Sequence, residues 1–317
     1  MKKILFTSVG RRVELIQQFK SAAHNLGTDM EIHGGDLDMT APAMHFCDKK
    51  VILPKIRSDE YIPFLLEYCE TESIDVLIPT IDTDLLVLSQ NRENFLDIGT
   101  RVLIAKPEKV AICRDKNYTA EYFTSIGLNA PFTVNSVDEY RGGFPAFIKP
   151  KDGSSSINAF KAENMDQLKQ LGAQINDYVI QPFVKGTEYT VDVFCDFDGN
   201  PVFITPRIRL AVRSGEVLKT EIRQDITIIE EVKKLVSDFK PWGAITVQLI
   251  KDDVTGINHY IEINPRFGGG APLSMMAGAN AAEAVIHLLN GEKIEYCPEA
   301  AEEGAIYSRF DQCVRIN

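Results

Sequence analysis

The chain has 317 residues, 44% hydrophobic and 25% charged, with a net charge of −11, which suits a folded protein of two or three lobes around a sizeable core. A pI near 5.1 argues against a general nucleic-acid or anionic-membrane binder, which needs a basic face, but not against a local basic cleft for one small anion. No segment approaches membrane-spanning length, and six cysteines without a C-x-x-C pair read as reduced thiols of a cytoplasmic protein.

The opening "MKKILFTSVGRR" is too short in its apolar run for a signal peptide and reads as a first strand. Val13, Ile16, Phe19, Ala23 and Leu26 then fall on one face of a helix that Gly27 ends. "MEIHGGDL" and "KKVILP" read as strands, "EYIPFLLEYCETES" as a helix and "DVLIPT" as a strand. "DTDLLVLSQNRENFLDIG" reads as one helix and "RVLIA" as a strand. This alternation predicts a parallel sheet covered by helices over residues 1–105. A second unit, 106–185, opens with Pro107 in the first turn of a helix and mixes helices with the short strands "PAFIKP", "INAFKA" and "YVIQPF". From 186 to 317 the chain reads as hairpin-rich, with turns at "DFDGN" and "DDVTG", an antiparallel sheet and one helix near 280–290.

The stretch "AITVQLIKDDVTGINHYIEINPR" carries the first chemistry. With a three-residue loop of Val254, Thr255 and Gly256, Gln248 and Glu262 each lie seven residues from Thr255 and fall opposite one another. Opposed residues share a sheet face, and Asn264, two residues on, joins them. Arg266 follows beyond the bend at Pro265, while Ile261 and Ile263 are expected to point into the core. Three oxygen donors on one face suit a hard cation such as Mg2+. Arg266 suits charge developing on a transferred phosphoryl group. The glycines that follow let backbone approach a ligand closely. A strand with one solvated polar face shows the same alternation.

Lys149 stands at a strand end in "FPAFIKPKDGSSSINAF", before a Gly-Ser-Ser-Ser loop whose N–H groups and hydroxyls could fold over phosphate oxygens; a plain turn has the same composition. "VIQPFVKGTEYTVDV" offers apolar walls and a short hinge for a flat ring, with Glu188 placed to accept from hydroxyls. Lys116, in "RDK", adds a second cation.

In this order the pieces resemble the ATP-grasp superfamily, and most of all a stand-alone protein similar to one synthetase unit of the carbamoyl-phosphate synthase large subunit. "TSVGRRVEL", "DVLIPTIDTD", "RVLIAKPE", "CRDKNYT", "GFPAFIKPKDGSSS", "IQPFVKGTEYTVDV" and the hairpin carry that resemblance over essentially the whole chain. It implies α/β and α+β architecture: an N-terminal, parallel-sheet, Rossmann-like pre-ATP-grasp domain (1–105), then a two-lobed ATP-grasp fold. The lobes are a small lid subdomain (106–185) and a C-terminal subdomain with the antiparallel sheet and metal site (186–317). It further implies that Lys116 and Lys149 bind ATP phosphates, covered by Gly153, Ser154, Ser155 and Ser156. Gln181, Phe183 and Val184 would contact adenine and Glu188 the ribose. Gln248, Glu262 and Asn264 would hold two Mg2+ ions, for which Mn2+ can substitute, and Arg266 would act on the transferred phosphate. The implied reaction is ATP-dependent ligation of a carboxylate to an amine through an acyl phosphate. Asn158, Gln181 and Gln248 depart from residues common in relatives.

"PRIRLAVRSGEVLKTEIR" sets Arg207, Arg209, Arg213, Lys219 and Arg223 within an acidic chain. Arg209 and Lys219 are taken as the clamp for the acceptor, and others of the set as solvated strand residues. Arg11, Asp36, Asp82 and Asp84 fall near strand ends, where open parallel sheets bind ligands, with helix capping as the competing account of Asp82 and Asp84. The expected partners are small-molecule carboxylate and amine substrates, with no nucleic acid and no membrane, and a homodimer as the default assembly. The alternatives are carbamoyl-phosphate-synthase-like phosphorylation of bicarbonate or carbamate, and a non-catalytic ATP-binding partner subunit.

Overall fold

The computed structural model describes residues 1–151 and 158–316. The N-terminal sheet holds β1 (Lys2–Thr7), β2 (Met30–Asp36), β3 (Lys49–Ile52), β4 (Val76–Pro79) and β5 (Arg101–Val102), all parallel, in the order β3-β2-β1-β4-β5. The chain winds outward from β1 to β3 and then returns to β4 on the other side. The strand order therefore reverses between β1 and β4, and a crevice opens at their carboxyl ends, the place where such sheets bind ligands. Helices α1 (Val13–Asn25), α2 (Tyr61–Glu72), α3 (Leu85–Gln90) and α4 (Arg92–Asp97) cover the sheet. α1 ends as expected, with Gly27 at φ +60°. The single helix expected over 82–99 is instead broken at Asn91, whose side chain donates to the Val87 carbonyl at 2.8 Å. Asn and Asp side chains compete in this way with helical backbone bonding.

Next come α5 (Pro107–Arg114) and α6 (Lys116–Ser125), separated by Asp115, whose carboxylate accepts from the N–H groups of Asn117 and Tyr118 as an N-cap. A small antiparallel sheet, ordered β7-β6-β8, contains β6 (Ala146–Pro150), β7 (Phe160–Ala162) and β8 (Tyr178–Pro182), with α7 (Met165–Gly172) between β7 and β8.

The largest sheet contains β9 (Gly186–Cys195), β10 (Pro201–Arg213) and β11 (Glu216–Ile222), then, after α8 (Ile226–Phe239), β12 (Gly243–Asp252) and β13 (Asn258–Asn264). Helices α9 (Ala271–Met276) and α10 (Ala281–Leu289) precede its last strand, β14 (Ile306–Ser308). The order is β13-β12-β9-β10-β11-β14, antiparallel throughout. α8 lies where only hairpins were expected. Its buried residues Ile228, Ile229, Val232, Leu235, Val236 and Phe239 recur at helical spacing, and Asp225 caps its start.

One core cluster joins Leu5 and Leu77 of the parallel sheet to Val191, Val247 and Ile263 of the large sheet. Another joins Phe6 and Phe19 to Phe194 and Phe267. Burying a side chain such as Phe267 contributes about 1.5–3 kcal/mol, and its place in the sequence matters as much. It fixes the chain just before the glycine run 268–270, beside the crevice between β1 and β4.

Candidate active site

The large sheet has two contrasting faces. Val191, Val193, Val247, Leu249 and Ile263 point into the core. Glu188, Thr190 and Asp192 of β9 alternate with them and point the other way. Cross-strand pairing continues that polar face from Glu262 to Gln248, from Gln248 to Thr190 and from Thr190 to Arg207. Asn264, Thr246, Asp192 and Thr205 form the neighbouring row. Thr190, Asp192, Thr205, Arg207 and Thr246 are buried. A polar face withdrawn from water must be internally paired, and here it is the floor of a site.

Gln248 opposes Glu262 as expected, but by a different route. Near the turn, Leu249 pairs with Tyr260 and Lys251 with Asn258, and Asp252 donates to the Ile257 carbonyl at 2.9 Å, leaving a four-residue loop. A bulge at Ile261 then shifts the register by one and restores the Gln248–Glu262 pair. Ile261 is therefore the extra residue of the bulge and only partly buried, while Tyr260, 1% exposed, takes the core position expected for it.

Asn264 Nδ2 donates to Glu262 Oε1 at 3.0 Å, and Arg266 Nη2 donates to Asn264 Oδ1 at 3.4 Å. Arg266 also donates to Asp82 Oδ2 at 2.6 Å, which ties the N-terminal crevice to the metal-type donors. The set of Gln248, Glu262 and Asn264 offers one carboxylate and two amide oxygens, a combination that fits a hard divalent cation sharing its shell with substrate phosphates.

Lys149 is the penultimate residue of β6 and is 8% exposed. Burial lowers its pKa to about 8; nearby Glu262 opposes the shift and Lys116 adds to it. Three residues from separate elements thus share one electrostatic neighbourhood. Lys116 donates to the Lys151 carbonyl at 3.0 Å. Arg209 is held beside Glu188, with Nε 3.3 Å from Oε2, and donates to Thr190 Oγ1 at 3.3 Å. Burial lowers its pKa, with Glu188 opposing.

Gln181 is 5% exposed and donates to Thr133 Oγ1 at 2.8 Å. The Phe183 N–H is committed to the Pro145 carbonyl at 3.0 Å. Gly153, Ser154, Ser155 and Ser156 lie outside the described residues. Lys219 is exposed on β11, at the far side of the sheet.

Among the N-terminal candidates, Arg11 is on the surface, its side chain 83% exposed and 3.6 Å from Asp311. Its neighbour Arg12 turns inward instead and donates to the Thr80 carbonyl at 3.1 Å. Asp36 builds the turn by accepting from the Gly10 N–H at 2.8 Å. Asp84 sits at the N-cap position of α3 without a capping hydrogen bond. It is fully buried and accepts from Thr7 Oγ1 at 2.9 Å and Tyr61 Oη at 3.1 Å, and burial pushes its pKa up to about 6. Sequence reasoning passed over Arg12; it included Arg207 in the cationic set but preferred Arg209 and Lys219, whereas Arg207 is 2% exposed and paired with Asp192 at 2.8 Å. The doubled arginine in "SVGRRVEL" was the one available signal for Arg12.

Lys149 on a strand of the small sheet and Lys116 at the start of α6, facing a carboxylate–amide set on the large sheet beside a parallel-sheet domain, form an arrangement of the ATP-grasp kind. Two family descriptions match separate parts of the chain: "PylC-like, N-terminal domain" over residues 4–103, and "ATP-grasp in the biosynthetic pathway with Ter operon" over residues 174–312. Over residues 174–312 the chain is therefore similar to ATP-grasp proteins. It is 27% identical over 196 residues to the 3-methyl-D-ornithine–L-lysine ligase of Methanosarcina mazei, covering 61% of this chain and 50% of that one. It is 22% identical over 144 residues to the carbamoyl-phosphate synthase of Methanobrevibacter smithii, covering 43% and 39%. The chain thus spans half or less of the length of these curated relatives. The biotin carboxylase domain of Hydrogenobacter thermophilus 2-oxoglutarate carboxylase, solved with MgADP, ADP and bicarbonate, superposes with a TM-score of 0.73 at 16% identity, covering 96% of this chain and 73% of that one. Among the described residues no helix is long and apolar enough to cross a membrane.

Proposed function

We propose that this chain is an ATP-dependent carboxylate–amine ligase: it transfers the γ-phosphoryl group of ATP to a carboxylate and lets an amine attack the acyl phosphate. The observation that carries this is the meeting of Lys149, Lys116 and Glu262, with Asn264 donating to Glu262 and Arg266 donating to Asn264. A carboxylate resists amines because its leaving group is oxide, and phosphorylation supplies a better one. Two anions must first be brought together, so cations must offset their repulsion. Lys149 and Lys116 bind the nucleotide phosphates, and a bound phosphate restores the proton affinity that burial takes from Lys149. Gln248, Glu262 and Asn264 would hold Mg2+, as two ions with Mn2+ as a substitute, and the metal would supply charge neutralisation on the phosphates. Arg266 steadies charge on the transferred group. Gln181, Phe183 and Val184 receive the adenine and Glu188 the ribose. Arg209 and Lys219 flank the far end of the acceptor.

In this reading residues 1–105 bind the acceptor, 106–185 close over the nucleotide and 186–317 form the catalytic floor, in a cytoplasmic protein whose default assembly is a homodimer. Support comes from the ligases among its relatives, whose names describe enzymes that join amino acids. The test is product analysis. The protein is incubated with Mg2+, ATP and pools of amino acids, small carboxylates, bicarbonate and amines, and ADP is resolved from AMP. ADP formed only with a carboxylate-plus-amine pool is the expected result. ADP with bicarbonate alone would favour the carbamoyl-phosphate-synthase-like alternative, AMP would mean adenylation, and ATP binding without turnover would favour the partner-subunit alternative.

A further inference from the structure

The crevice between β1 and β4 has a floor that the proposed ATP chemistry does not use. The turn leaving β1 holds Ser8 at φ +55° and Gly10 at φ +43°. A non-glycine residue in the left-handed region costs free energy and persists only where the surroundings impose it, most often at functional sites. Here the imposition is visible: Gly10 N–H donates to Asp36, and Arg12 N–H donates to the Val9 carbonyl at 2.8 Å. The consequence is that Arg11 points to solvent and Arg12 points into the crevice.

Arg12 spans the crevice. Its Nη2 reaches the Thr80 carbonyl just past β4, and its Nη1 would be 3.0 Å from a Cβ placed on Gly269. On the other side of the glycine run, Arg207 Nη2 would be 2.6 Å from a Cβ on Gly270. Arg207 is 2% exposed, and among the described residues its Nη1 has no hydrogen-bond partner. Arg266 comes from the third direction, and its Nε is likewise buried and without a hydrogen-bond partner among the described residues. Burial brings the pKa of Arg12 down to about 10, and the nearby Arg266 adds to that shift. Three carboxylates also border this place and are each hydrogen-bonded: Asp192 accepts from Arg207 and Ser274, Asp82 accepts from Arg266, and Glu216, whose Oε1 would be 3.2 Å from a Cβ on Gly269, accepts from Arg309. Glycine at 269 and 270 is what leaves room between the guanidinium groups.

We propose that Arg12 binds the carboxylate that receives the phosphoryl group, at a subsite formed with Arg207, Arg266 and the glycine run 268–270. A planar guanidinium matches a carboxylate as a two-pronged donor, and partly desolvated cations of like charge gain most from an anion between them. The position also fits the reaction. Arg266 links this subsite to Asn264 and Glu262, so an acceptor carboxylate held here lies next to the phosphoryl donor. Arg12 is thus a substrate-binding residue contributed by the N-terminal unit, and the glycine run is the seat of the acceptor rather than of the nucleotide. The assignment rests on the ligase reading.

The test uses the full chain saturated with MgADP, with acetate and inorganic phosphate as probes and thermal protection as the readout. The wild type is expected to bind both anions in competition. Arg12→Gln should weaken both about tenfold or more while MgADP affinity stays within about twofold. Arg12→Lys keeps the charge without the fork and should recover phosphate more than acetate; it carries the comparison if Arg12→Gln does not fold. Arg11→Gln is the surface control and should change nothing. Equal anion affinity in the wild type and Arg12→Gln, or no anion binding by the wild type, overturns the assignment. Phosphate bound without competition from acetate also overturns it, because the subsite would then belong to the nucleotide's phosphate. A parallel loss of MgADP affinity in Arg12→Gln overturns it for the same reason. If the wild type releases no ADP with any carboxylate pool, the ligase reading fails, and the anion measurements still decide whether Arg12 holds a carboxylate.

Discussion

The β12–β13 hairpin and the turn after β1 both deliver an arginine to the same glycine run, by opposite means. The hairpin is periodic: alternation along two paired strands puts Gln248, Glu262 and Asn264 on one face, and Arg266 follows at the next even step. The turn has no period. Which of Arg11 and Arg12 enters the crevice depends on left-handed backbone at Ser8 and Gly10 and on the side chain of Asp36. Regular elements reveal which residues act together, whereas irregular turns conceal it. Two residues adjacent in sequence end up 83% exposed in one case and inside the site in the other.

The sharpest break in the comparison is to disable the periodic half alone. Glu262→Gln keeps an acceptor for the Asn264 amide, so the fold should survive, but it removes the single carboxylate of the donor set. ADP release is expected to fall by about a thousandfold or more, because phosphoryl transfer rests almost wholly on charge stabilisation and positioning. Turnover within about tenfold of wild type, with an unchanged far-UV spectrum, would remove Glu262 from the metal site.

Lys149→Met comes next and separates function from stability. Loss of the point charge on the phosphates should weaken ATP binding by about tenfold to a hundredfold. Stability should move the other way. The folded pKa of Lys149, about 8, lies below the usual 10.5, so between those values the unfolded chain binds more protons and stability rises with pH. Below about pH 8 the buried charge is a standing cost, which methionine removes. The expected gain near pH 7 is on the order of 3 kcal/mol at most, and it should vanish near pH 10.5. Urea midpoints measured across that range check both the sign and the window. A methionine variant less stable than wild type at neutral pH would mean that Lys149 is compensated more fully than its neighbours suggest.

Asp84→Asn probes the non-periodic half. Its carboxyl is raised to about 6 from the ordinary 3.8. The folded state therefore binds more protons between those values, and stability falls as pH rises through them. The asparagine variant can still accept from Thr7 and Tyr61, so it should be the more stable protein above about pH 6, by about 1–3 kcal/mol. Equal stability at pH 7 would show that the hydrogen bonds to Asp84 offset its burial.

How much could be read in advance follows the same division. The parallel sheet, the helix after it and the metal-type face were legible because each repeats with a period of two or 3.6 residues. The Gln248–Glu262 pairing was legible although its details were not: a loop one residue longer and a bulge at Ile261 cancel, which no local rule foretells. α8 was missed because the surrounding hairpin turns set the expectation, although its apolar spacing and Asp225 cap were present in the sequence. Arg207 was visible as a charge but not as a buried one. Its burial depends on Asp192 and Ser274, 15 and 67 residues away in sequence.

The smallest expected effect belongs to Lys219, and distance is the reason. The sheet runs β13-β12-β9-β10-β11, so Lys219 on β11 lies four strands from Glu262 on β13. At about 4.8 Å per strand that separation is about 19 Å, well beyond the reach of a lysine side chain from its own backbone. Lys219 can therefore meet only the distal part of an acceptor, never the phosphoryl group in transfer. Lys219→Ala should leave kcat unchanged and raise the acceptor KM less than about tenfold, with stability within about 0.5 kcal/mol of wild type, as for other exposed positions. Arg209, one strand nearer and held between Glu188 and Thr190, should give the larger KM effect when replaced by alanine. If Lys219→Ala instead lowers kcat and spares KM, β11 must move toward β13 during turnover, and the six-stranded sheet would be a closing element rather than a fixed floor.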